Sequence, residues 1–179
     1  MSKIDELAEL MPLPPQPLEV PSWKDWRRYE HELTKLPGDY KEFIRRYGTG
    51  VIDDFLWVFN PAADNPYLNL ISQAQSILPA LEETSRKFPD LFSVPTFPEV
   101  SGFLPFASTD NGDNVFWVAD GKPDQWTIAV MGPRSPDCFY HGVGIVDFLV
   151  SMIRGDTRCR IFPADFPSDP PLKFVATRE

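Results

Sequence analysis

The chain has 179 residues, 42% hydrophobic and 13% aromatic, which excludes a disordered chain and suits one globular domain with a real core. Its 26 acidic against 17 basic residues leave a formal charge of −9, which argues against a nucleic-acid partner because phosphate recognition needs clustered Lys and Arg. No apolar run approaches a membrane span, and MSKIDELAEL lacks the basic flank and apolar core of a signal peptide, so the expectations are no membrane partner and a cytoplasmic location.

In chain order, Ile4, Leu7, Ala8 and Met11 recur at helical spacing, which predicts a short amphipathic helix. Pro12 to Pro21 then forbids a helix and reads as a stiff connector, with a ligand for a proline-recognition domain as the alternative. Ser22 with Asp25 imitates a capping box for a helix whose buried face is expected to be Trp23, Trp26 and Leu33. Leu36-Pro37-Gly38-Asp39 breaks that helix and starts another, with Asp39 as the expected cap. Tyr40, Phe43, Ile44 and Tyr47 form its apolar face, and Gly48 and Gly50 end it.

Phe55 to Phe59 is aromatic and β-branched and reads as a strand. Leu70 to Phe88 has helical spacing interrupted by Pro79, which either kinks the helix or marks its true first turn with Ser76 as the cap, and a Pro- and Phe-rich loop follows. Val115–Val118, Thr127–Met131 and Asp137–His141 are further predicted strands. Ile145, Phe148, Leu149, Met152 and Ile153 make the stripe of a last helix, closed by Arg154 and Gly155. The reading divides the chain into a helix and connector over 1–21, a main domain over 22–155, and an extension over 156–179 that wraps the surface.

The segment Thr109-Asp110-Asn111-Gly112-Asp113-Asn114 has oxygen ligands around a glycine, as a calcium loop would, but no glutamate completes the calcium-loop spacing. Asn-Gly is instead a strong hairpin signal, with Asp110 and Asp113 expected to bond nearby backbone amides. The adjacent carboxylates Asp53 and Asp54 lie in a loop and point opposite ways once the strand begins, and no partner carboxylate can be named to make an acid/base pair with either. His31 and His141 are the only histidines, and no nucleophile elbow accompanies them. Gly142-Val-Gly144 lacks the third glycine of a dinucleotide loop. Cys138 and Cys159 have no metal-ligand spacing and are expected as free thiols. No catalytic residue, metal or cofactor is expected. Trp117 reads first as core, Trp57 stands in the same position within its own strand, and Trp126 is open between core and surface.

Two segments together resemble the SUKH superfamily, the Smi/Knr-type domain. One is Leu36-Pro37-x-Asp39-Tyr40-x-x-Phe43 continuing to Tyr47; the other runs from Gly102 through Asp113 into Phe116-Trp117. The Phe148-Leu149 helix fits the last element, and the likeness covers Trp23 to about Arg154. Gly48-Thr49-Gly50 departs from the Asn-Gly-Gly of many relatives. The resemblance implies an α+β domain with helices on one side of a mainly antiparallel sheet, and a binding role rather than an enzymatic one. Bacterial members are thought to be immunity proteins that neutralise toxins, often nucleases, and fungal relatives act in cell-wall and signalling regulation. The expectation is an immunity protein against a basic toxin domain. Asp53, Asp54, Asp110, Asp113, Asp120 and Asp124 would supply steering and rim contacts, with Trp57 and Trp117 as anchors. The alternatives are a cytosolic regulator or scaffold recruiting a partner through Pro12–Pro21, and an enzyme with a pocket near Asp110 and Trp117.

Overall fold

The computed structural model describes residues 2–133 and 135–179, with Val143 described by its backbone alone. Its elements in chain order are α1 (Lys3–Leu10), α2 (Trp23–Glu32), α3 (Gly38–Tyr47), β1 (Gly50–Ile52), β2 (Leu56–Val58), α4 (Leu70–Lys87), β3 (Gly102–Thr109), β4 (Asn114–Ala119), β5 (Thr127–Met131), β6 (Cys138–Val143), α5 (Ile145–Ile153) and β7 (Phe174–Ala176). The strands form one sheet in the order β6-β5-β4-β3-β2-β1-β7, and every neighbouring pair is antiparallel. This is the expected α+β class.

Alternation along β4 explains the layering. Successive side chains point to opposite faces of a strand. Val115 and Trp117 therefore join the large core with α1, α3 and α5, whereas Phe116 faces away and packs with Phe103, Ala129 and Met131. The helix α4 enters the large core through Leu70 and Ala74, and its Leu81 covers that second face. Asn69 starts α4 by accepting from the amides of Ile71 and Ser72, so Pro79 lies inside the helix rather than in its first turn. Pro105 sits in the middle of β3, where it cannot donate to the ladder, and the register shifts between it and Ala107.

Ser22 and Asp25 form the expected capping box. Trp23 departs from expectation: it is 62% exposed, while Trp26 and Leu33 pack against the core. At roughly 100° per residue, Trp26 and Leu33 fall almost on one line and Trp23 stands about 60° away from it.

Both ends of the chain are built into the fold. Ile4, Leu7 and Met11 are buried in the core. The connector is fastened: the Thr49 amide donates to the Leu18 carbonyl at 3.0 Å, and Asn60 Nδ2 donates to the Glu19 carbonyl at 2.9 Å. The extension does more than wrap the surface. Phe162, Phe166 and Leu172 enter the core, and β7 pairs with β1 to extend the sheet. Among the described residues no helix is long and apolar enough to cross a membrane.

Candidate functional site

The β3–β4 turn is closed by the Thr109 amide donating to the Asp113 carbonyl at 3.0 Å, which leaves the three-residue loop Asp110-Asn111-Gly112. Of Asn111 and Gly112 only Gly112 has positive φ, at 83°, and its amide donates to the Thr109 carbonyl at 2.9 Å. That is a tight turn closed by a left-handed glycine, a different hairpin from the two-residue one that Asn-Gly suggests. Asp113 is buried and accepts the Thr109 hydroxyl at 2.7 Å, while its amide donates back to Thr109 Oγ1. Asp113 therefore holds the turn together and has no surface to offer a partner, which corrects its place on the expected rim.

Asp110 reaches across the sheet instead of bonding a neighbouring amide. Its carboxylate accepts the indole N–H of Trp57 at 2.7 Å, and its own amide donates to the Phe55 carbonyl. Because β2 pairs with β3 through Leu56–Thr109 and Trp57–Ser108, the β1–β2 turn lies beside this hairpin. That turn is Asp53-Asp54, with φ of 54° and 51°, closed by the Phe55 amide on the Ile52 carbonyl at 3.0 Å. Two consecutive left-handed residues other than glycine cost about 1 kcal/mol each, and Asp is among the side chains that tolerate the region best. Asp53 accepts the amide and hydroxyl of Ser168, both at 2.8 Å; Asp54 projects outward with a loose pair to Lys173 at 3.5 Å. One end of the sheet thus gathers Asp53, Asp54, Trp57 and Asp110.

Trp117 does not belong to this surface. It is fully buried, edge-on to Tyr40 at 4.9 Å and stacked on Phe106 at 4.5 Å. It is a core residue and corrects the anchor assignment; it also shares no open cleft with the exposed Asp110. Trp126 is buried as well and lies 6.0 Å from Trp117.

Asp120 and Asp124 sit in the β4–β5 connection, at the opposite end of the sheet from Asp53, Asp54 and Asp110. The eight expected residues therefore make no single rim. Asp124 accepts the Gly38 amide at 2.6 Å and so caps α3 from outside. Asp39, expected to cap its own helix, caps α5: one oxygen accepts the amide of Val146 at 3.2 Å, the other that of Tyr40 at 2.8 Å. Gly144, with φ of 90°, lets the two approach, since a Cβ there would meet Asp39 Oδ2 at 2.8 Å. Burial raises the Asp39 pKa above its ordinary value, partly offset by the backbone amides it accepts.

Cys138 and Cys159 are free, and burial pushes both thiols up, which makes them poor nucleophiles. His141 faces Asp147 at 3.4 Å. Among the described residues no three His, Cys, Asp or Glu side chains converge to hold a metal ion. Comparisons with family models, with curated proteins and with solved structures return no match.

Proposed function

We propose that the chain is a cytoplasmic, non-enzymatic protein-binding domain of SUKH type that neutralises a toxin by direct association. The observation that carries this reading is the acidic turn pair at one sheet end. Asp54 and Asp110 project from adjacent turns, and the Asp53-Asp54 turn keeps two left-handed aspartates where Asn or Gly would fit with less strain. Trp57, half-buried and oriented by Asp110, supplies an aromatic surface between them. Exposed carboxylates around an aromatic suit a basic surface such as that of a nuclease, and a net charge of −9 would steer the encounter. The segment Leu36–Tyr47 supports the family reading through a structural role, because Asp39 and Tyr40 tie α3 to α5 and, through the Tyr40 hydroxyl on the Phe59 carbonyl, to the chain beyond β2.

Co-expression with a toxin domain encoded beside this gene is the test. Restored growth and a co-purifying complex are the expected results. A neighbouring toxin that remains lethal and unbound removes the immunity reading.

A further inference from the structure

A second surface has the opposite character. Residues 22–47 carry seven Lys and Arg against five Asp and Glu, so they are net positive by two in a chain of −9. This segment holds α2 and α3, and between them lies an open cavity of about 480 Å³ walled by Pro21, Trp23, Trp26, Arg27, Lys41 and Arg45, among others. Trp23 is exposed on its lip. The Arg27 guanidinium stacks over its ring at 4.8 Å, and the Lys24 ammonium sits 5.6 Å from the same ring. Lys41 and Arg45 are engaged by Glu30 and Glu42, at 2.7 and 2.5 Å. Among the described residues Lys24 and Arg27 have no carboxylate partner, and a guanidinium stacked on a ring keeps its N–H edge free for bidentate bonds.

From this juxtaposition we infer that the α2–α3 face docks an acidic segment of another protein. Its carboxylates pair with Lys24 and Arg27, and one apolar side chain seats between Trp23 and Trp26. Charge complementarity selects the occupant: Lys24 and Arg27 flank the exposed tryptophan without a carboxylate partner among the described residues, and Trp and Arg are among the side chains that most often dominate binding energy. The cavity also borders Gly38, whose amide donates to Asp124 in the β4–β5 connection, so this surface lies toward the sheet end opposite the Asp54 and Asp110 turns and does not depend on the toxin reading.

The test is a fluorescence-anisotropy titration of the full chain against a labelled nine-residue Asp/Glu peptide with a central Phe-Leu pair. The same peptide with Lys for each acid and a thymidine oligonucleotide are titrated beside it. The inference expects saturable binding of the acidic peptide, weakened about tenfold or more by Trp23→Ala and by Arg27→Glu and untouched by Asp54→Gly. Because both side chains are exposed, unchanged melting curves for the two variants separate lost binding from lost folding. Four results overturn it: no binding up to about 1 mM peptide, equal binding of the lysine peptide or the oligonucleotide, unchanged affinity in Trp23→Ala, or sedimentation showing a second copy of the chain on this face.

Discussion

Asp39 illustrates how a short motif acts through distant backbone. Its carboxylate satisfies the first amides of α5, a helix whose own N-cap, Gly144, has no side chain. Replacing Asp39 by Ala is expected to cost about 1–2 kcal/mol, the usual loss of a helix cap, measured by urea unfolding. Burial raises its pKa, so its contribution to stability falls as pH rises through its titration. Glu42 behaves in the opposite way. Hydrogen bonds from Arg45 first, and from Arg46, lower its pKa from 4.5 to about 2 despite some desolvation. Its contribution is therefore full above pH 4.5 and disappears as pH falls toward 2, which carboxyl-detected NMR titration would show. Asp54→Gly relieves a left-handed residue at φ of 51° and should stabilise the chain by about 0.5–1 kcal/mol. The proposed function requires the same substitution to weaken the partner. A gain of stability with unchanged affinity would show that the strained turn has no binding role. At this scale the sequence showed that Asp53, Asp54 and Asp110 sit in turns. In sequence Trp117 reads first as core yet also as an anchor, because strand alternation fixes that Phe116 and Trp117 oppose each other without fixing which is covered by α3. The burial of Asp113 was not legible there.

Among the elements, the helices were the most legible. Caps and stripes such as Ser22 with Asp25, and Ile145 through Ile153, are local signals that tertiary packing then reinforces. Three strands were not readable. β1 is three residues between two turns, β3 contains Pro105, and β7 follows a proline-rich run; each forms because a neighbouring strand offers its ladder. The terminal elements are fastened by long-range contacts that no local pattern announces. Lys3 pairs with Asp147 at 3.1 Å, Arg46 with Asp5 at 2.9 Å, and the Leu172 amide donates to the Leu10 carbonyl. Leu7, fully buried in α1, makes that helix part of the core rather than an appendage. Leu7→Ala should cost about 2–5 kcal/mol in chemical denaturation; a loss below about 0.5 kcal/mol would mean that α1 packs only loosely on α3 and α5.

For the whole molecule, charge is distributed in a way that its total conceals. The net −9 comes with Asp54 and Asp110 on adjacent turns at one end of the sheet, while α2 and α3 carry a local positive excess beside Trp23. Composition gave the total, and only the fold separates the two surfaces. On the proposed function, the Asp54–Asp110 end captures a basic toxin domain. Capture is tested by calorimetric titration of the toxin domain that the proposed function places beside this gene into the wild-type chain and into the double variant Asp54→Lys/Asp110→Lys, at low and high salt. Charge reversal is expected to weaken binding about a hundredfold or more, consistent with a few kcal/mol for like-charge contacts across an interface, and salt to weaken only the wild-type complex. Equal affinity of the two proteins, with the same salt dependence, would contradict it.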